Sequence, residues 1–322
     1  MPLGPQLATL LKIIIYLPLI AQVGFQSLHP VFRIPPFHQK MVSVDLNEQN
    51  LQATTSYEPF SMDQFVMFGD SITQFAWGRG GLGSDLAHAY QRKLDVVNRG
   101  FSGYNTVWGL EVAKIIFPIY SPPIQIILPK KRIVTIWFGA NDAVIPPKPQ
   151  TVSPEQFSEN LNKLVEIVQE HDRQTSSRNS PPVQIILITP PPVSIEMRAA
   201  DCAARFPDWK PENMDRDSGR TKMFAELVCQ VAKEKGLPVV DIWTAITKAS
   251  EAAAQGLGEY LSDGLHLTSA GYNVVWKELM NLILRHFPHL SPQEMKQDFP
   301  WWNDINFEHP EKSFPHPGVT LT

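Results

Sequence analysis

The chain has 322 residues, 43% hydrophobic and 19% charged, so it can build a sizeable core and wholesale disorder is excluded. A formal net charge of −4 gives no basis for a nucleic-acid partner. Its two cysteines, Cys202 and Cys229, lie outside any C-x-x-C pair, which excludes a disulfide framework or cysteine-rich zinc site and leaves two buried thiols.

Residues 13–23, IIIYLPLIAQV, form an apolar run preceded by Lys12. Pro18 interrupts it, and it is too short to span a bilayer. Its basic start is weak and the chain has no Asn-x-Ser/Thr sequon. The expectation is therefore a cytoplasmic protein without a membrane span, with a cleaved secretory signal in residues 1–24 as the alternative. Residues 25–60 carry several prolines and little apolar periodicity, so 1–61 reads as an N-terminal extension, extended or disordered.

From residue 62 strands and helices alternate. FVMFG at 65–69 is a buried strand, 84–94 is helical, and DVVNRG at 95–100 is a second strand. Residues 106–117 are helical and RIVTIWFGAND, 132–142, is a third strand. At SPEQF, 153–157, Ser153 is a cap, Pro154 suits the first turn and Gln156 holds the capping-box position. The helix that follows places Phe157, Leu161, Leu164, Val165 and Val168 on one face. VQIILIT, 183–189, is a fourth strand, 213–235 a helix, PVVDIW, 238–243, a fifth strand, and 269–286 the last helix. Residues 193–220 read as a long polar loop walling a pocket.

Continuous apolar strands alternating with helices predict an α/β fold: a doubly wound parallel five-stranded sheet with helices on both faces. The domain runs from 62 to 288 and a C-terminal arm from 289 to 322. Sites in such sheets lie at the carboxyl ends of the strands, so Ser71, Gly103 and Asn141, each following a strand, converge on one edge.

Taken singly, each residue has an ordinary explanation: Ser71 as a helix cap, Gly103 and Asn141 as turn residues. Asp263 and His266 in SDGLHLTSAGY, 262–272, are more specific. A tight turn there brings the carboxylate to the ring Nδ1 and leaves Nε2 to take a proton from a hydroxyl. His88, His171 and His286 lie on or at the ends of helices, where solvent or a helix terminus accounts for them. GRGGLG, 78–83, matches a dinucleotide-binding fingerprint but begins well past the first strand, and Asn98 and Arg99 stand where an acidic ribose ligand belongs. No residue cluster has metal-ligand spacing, and no cofactor is called for.

In order, GDSIT, GFSG, GAND and DGLH resemble the four blocks of the SGNH, or GDSL-type, hydrolases. The likeness spans about 62–315. It is greatest to the fungal isoamyl acetate-hydrolysing esterases, through NRGFSGYNT and the tail LSPQ…FPWWNDI…HPEKS. The segment ENMDRDSGRTKMF resembles the family only loosely. The resemblance implies the flavodoxin-like SGNH hydrolase fold and a metal-independent serine esterase with a small-molecule ester substrate. It implies Ser71 as nucleophile, His266 as base, Asp263 as its orienting carboxylate, and an oxyanion hole of the Ser71 and Gly103 N–H groups with the Asn141 amide. Acetates of small alcohols are the implied substrates; sugar acetylesters, lysophospholipids and thioesters are the alternatives. No G-x-S-x-G elbow is present. The arm, with Phe299, Trp301, Trp302, Ile305 and Phe307, either packs on its own domain or walls a pocket, its own or that of a partner in a homodimer.

Overall fold

The alternating pattern folds as one parallel sheet, seen in a computed structural model that describes residues 61–120, 129–176 and 180–314. The apolar run 13–23 and the segment 25–60 lie outside the described residues. The strands are β1 (Gln64–Gly69), β2 (Asp95–Gly100), β3 (Lys131–Trp137), β4 (Gln184–Ile188) and β5 (Val239–Val240). Their order is β2-β1-β3-β4-β5, all parallel, with the switch point between β1 and β3.

Side-chain alternation explains why both faces are covered. Phe65, Met67 and Trp137 point into one core, closed by α1 (Ser71–Phe75), α2 (Leu82–Ala89), α7 (Ile242–Glu251) and α8 (Ser269–His286). Val66, Phe68, Val134 and Ile136 point into the other, closed by α3 (Thr106–Ile116), α4 (Pro154–Thr175) and α6 (Ser218–Lys235). Each buried large apolar side chain contributes about 1.5–3 kcal/mol.

Several expected boundaries move, each for a local reason. β3 stops at Trp137, because residues 138–142 must leave the sheet to form the turn that carries Asn141. The expected loop 193–220 contains α5 (Ile195–Arg205), capped by Ser194. Only Cys202 of that helix is fully buried; Ile195 and Met197 pack half-buried against the core. The helix expected from 213 starts at Ser218, where the Asp217 carboxylate accepts from the Arg220 N–H. The fifth strand is two residues long, because Asp241 caps α7. The helix expected over 84–94 is α2, ending at Ala89. Ser153 caps α4 as expected, but the Gln156 amide donates to Asn160 Oδ1 at 2.8 Å instead of closing a capping box.

His171 is buried on α4, its Nδ1 2.8 Å from the Pro118 carbonyl, rather than satisfied by solvent. Cys202 is buried as expected, whereas Cys229 is only half-buried. Among the described residues no helix is long and apolar enough to cross a membrane.

The arm packs on its own domain at the amino ends of the strands. The Tyr90 hydroxyl donates to the Leu290 carbonyl at 2.9 Å, Lys93 Nζ donates to the Pro292 carbonyl, and the Asp298 N–H donates to the Arg92 carbonyl. The Arg92 guanidinium lies over the Trp301 ring at 4.8 Å. Leu290 and Ser291 are buried, while Trp301, Trp302 and Phe307 remain exposed.

Candidate active site

The chain leaves β1 at Gly69 and turns at once into α1. Asp70 does the capping: its Oδ1 accepts from the Ile72 N–H at 2.9 Å. The Ser71 hydroxyl is thereby left for another partner, His266, whose Nε2 lies 3.0 Å from Ser71 Oγ. His266 Nδ1 lies 2.7 Å from Asp263 Oδ2.

The turn 263–266 makes this geometry. Asp263 Oδ1 accepts from the backbone N–H groups of Leu265 at 3.0 Å and His266 at 2.8 Å, so the carboxylate is clamped by the segment it orients. Gly264 has φ +81°, and a Cβ there would come within 2.5 Å of the Arg198 nitrogen, so glycine is required. Burial alone pushes the Asp263 carboxyl upward. The hydrogen bonds from the His266 ring and backbone, with the ring's charge, outweigh it and hold the carboxyl well below the ordinary range. A carboxylate on Nδ1 fixes the tautomer in which Nε2 accepts a proton.

Tyr272, on the helix after this turn, donates its hydroxyl to the Ile72 carbonyl at 2.7 Å. That bond ties the first turn of α1, with Ser71, to α8, whose approach carries His266. The Phe75 ring, on the last residue of α1, sits 5.2 Å from the imidazole. Phe75 is also exposed, as are Val107 and Trp108 at the start of α3.

Gly103 and Asn141 come to the same edge by way of β2 and β3. Gly103 has φ +82°, a conformation glycine adopts without strain, and its carbonyl accepts from Gln150 Nε2 at 2.6 Å. Asn141 Nδ2 donates to the Tyr104 carbonyl at 3.0 Å, and its second amide hydrogen meets no acceptor among the described residues. The backbone N–H groups of Ser71 and Gly103 donate to no other group among the described residues. The structure thus brings Ser71, His266 and Asp263 together and sets Gly103 and Asn141 in the turns just past the carboxyl ends of β2 and β3.

Two buried carboxylates lie beneath. Asp70 is pushed up to about 7, chiefly by burial, and Asp142 up to about 6 for the same reason. Asp142 Oδ1 accepts from the Thr106 N–H at 2.8 Å and its hydroxyl at 2.5 Å, which joins the Asn141 turn to α3. Sequence reasoning missed Gln150 and Arg216, whose side chains meet Gly103 and Asn141; neither carries a local motif. GRGGLG follows α1 and runs into the first turn of α2, so the glycine-rich stretch does not turn directly off β1 toward a pyrophosphate.

A serine hydroxyl, an imidazole and a carboxylate lie in sequential hydrogen bonds past the carboxyl end of β1 in a parallel sheet, an arrangement chemically suited to a hydrolase. The model of the GDSL-like Lipase/Acylhydrolase family matches residues 67–274. A GDSL esterase/lipase of Arabidopsis thaliana is 36% identical over 256 residues, 78% of this chain and 97% of its own. The isoamyl acetate-hydrolyzing esterase 1 homolog of Bos taurus is 36% identical over 270 residues, 81% of this chain and 96% of its own. The isoamyl acetate-hydrolyzing esterase of Saccharomyces cerevisiae is 27% identical over 261 residues, 76% of this chain and 95% of its own. The chain belongs to the GDSL-like lipase/acylhydrolase family and is a carboxylic ester hydrolase.

Proposed function

We propose that this enzyme hydrolyses short-chain acyl esters, acetates of small uncharged alcohols above all, through an acyl-enzyme on Ser71. The observation that carries the reading is the 3.0 Å contact of Ser71 Oγ with His266 Nε2, backed by Asp263 at 2.7 Å from Nδ1. His266 takes the Ser71 proton as Oγ bonds to the ester carbonyl carbon. The carbonyl oxygen becomes an oxyanion, met by the Ser71 and Gly103 N–H groups and the free Asn141 amide hydrogen. Collapse breaks the bond to the alcohol oxygen, which leaves with the proton from His266. Water, activated by His266, then attacks the acyl-serine and releases the acid.

The exposed Phe75 ring beside the His266 imidazole favours an uncharged substrate. Two of the relatives bear names that specify isoamyl acetate hydrolysis. The described arm runs along the opposite edge of its own sheet, so we assign no part of it to its own pocket. Its exposed Trp301, Trp302 and Phe307 support a homodimer in which the arm meets a second copy. Hydrolysis rates for isoamyl acetate and a p-nitrophenyl ester series from acetate to palmitate test the substrate class. The proposal expects kcat/KM to be highest for acetate and to fall with chain length; a maximum at long chains overturns it.

A further inference from the structure

Arg216 lies in the segment before α6, and its side chain is 3% exposed. Its Nη1 donates to Asp215 Oδ2 at 2.8 Å and its Nη2 to Asn141 Oδ1 at 3.2 Å. Gln150 Nε2 approaches the same Asn141 oxygen at 3.5 Å. On the far side of the amide, Asn141 Nδ2 donates to the Tyr104 carbonyl at 3.0 Å.

These neighbours are chemically one-sided. A primary amide turned by 180° exchanges its oxygen and its N–H₂, and with them an acceptor and a donor. A guanidinium only donates, so it must face the oxygen. The Tyr104 carbonyl only accepts, so it must face the nitrogen. Together they allow one orientation, and that orientation keeps the amide oxygen away from a developing oxyanion.

The cation also acts through charge. Asp215 is shared between two arginines: Arg198 Nε lies 3.7 Å from its Oδ1, and Arg198 Nη1 lies 3.8 Å from Asp263 Oδ2. Arg216 faces the Asp215 carboxylate and, from below, the buried Asp70, and its guanidinium stands directly behind the Asn141 amide oxygen. A positive charge behind the amide oxygen polarises the amide and strengthens its N–H donors in a low-dielectric site. The same segment braces the loop that supports Gly103. The Ile145 N–H donates to the Asp215 carbonyl at 3.0 Å, and Arg220 Nη2 donates to the Val152 carbonyl at 2.7 Å.

We propose that Arg216 is a positioning residue of the oxyanion hole, holding the Asn141 amide with its N–H₂ toward the substrate's carbonyl oxygen. This rests on the esterase reading of the site. It needs Arg rather than any cation, because one planar fork serves Asp215 and Asn141 together.

The test is a double-mutant cycle on p-nitrophenyl acetate hydrolysis, with melting temperature measured for every variant. Arg216→Met is made together with Asp215→Asn, so that the carboxylate bonded to Arg216 is not left charged without it. The expected result is a kcat about 10–100-fold lower with KM within about twofold, as for loss of part of one oxyanion donor. In an Asn141→Ala background the same pair should lower kcat by less than about twofold, because its target is gone. Arg216→Lys, which keeps a donor and the charge, should recover part of the lost kcat. Equal losses in both backgrounds, or a rise in KM at unchanged kcat, overturn the proposal. If the Met/Asn pair does not fold, Arg216→Lys carries the comparison: its loss of kcat must be larger with Asn141 present than with Ala, and equal losses overturn the proposal. Absence of turnover in the unaltered enzyme overturns the esterase reading itself, and the proposal with it.

Discussion

Replacing Asp70 by Asn should raise stability at neutral pH and flatten its dependence on pH. The carboxyl is fully buried, and Oδ2 has no hydrogen-bond partner among the described residues. Burial raises its pKa from 3.8 to about 7. For an acid raised in this way the neutral form is the one the fold prefers. Its contribution is complete below the unfolded pKa, near 4, and is lost as pH climbs through about 7. At about 1.4 kcal/mol per pH unit, the gap corresponds to roughly 4 kcal/mol lost between pH 4 and pH 8. Asn keeps the oxygen that caps Ile72 and cannot ionise. For a domain of this size about 2 °C of melting temperature accompanies each kcal/mol, so Asp70→Asn should melt about 8 °C above the unaltered protein at pH 8 and close to it at pH 4. Asp142, raised to about 6, adds a drift of the same sign that persists in both proteins. Asp263 acts oppositely, since its lowered pKa gives stability that is lost only as pH falls below about 4. Thermal melts of both proteins from pH 4 to 8 make the measurement. Parallel curves would refute the reasoning, because they would show that Asp70 titrates normally in the fold.

Asn141→Ala should lower kcat by on the order of 10²–10³ with KM little changed, measured by steady-state ester hydrolysis. A raised KM at constant kcat would make Asn141 a substrate-binding group instead. Tyr272→Phe leaves the buried Ile72 carbonyl unpaired and should cost about 1–3 kcal/mol in denaturant unfolding. Deleting residues 289–322 removes buried Leu290 and the acceptor of the Tyr90 hydroxyl, and should lower the melting temperature by several degrees. Deleting only 302–322 should leave the fold intact, and sedimentation of that variant reads whether the arm's exposed aromatics hold a second copy. Incubation with EDTA should leave ester hydrolysis unchanged, whereas loss restored by zinc would contradict a serine mechanism.

The sheet was legible because its strands are apolar on both faces, which only a parallel, twice-covered sheet rewards. The carboxyl-edge rule puts Ser71, Gly103 and Asn141 on one edge of the sheet, since each follows a strand. Asp263 and His266 were legible because three-residue spacing in a glycine-containing turn is a local geometry. The helix α5 was not, because it fully buries Cys202 alone and sits in a polar segment just after three prolines. The helix α7 was hidden behind PVVDIW, where Asp241 is a cap and not a strand residue. Arg216 left no sequence signal, since it meets Asn141 across 75 positions. The arm's aromatics identified a packing segment but not its destination, because hydrophobicity has no direction. Tyr90 and Arg92 draw it to the amino edge.

The central claim is that Ser71 is the nucleophile, and covalent trapping tests it most directly. The enzyme is treated with a p-nitrophenyl alkylphosphonate, which expels one p-nitrophenolate as the serine oxygen bonds to phosphorus. The account predicts one adduct per chain, located on the peptide containing Ser71 by mass spectrometry, with hydrolysis lost in proportion and no adduct in Ser71→Ala. An adduct on another serine, or undiminished ester hydrolysis by Ser71→Ala, would contradict it.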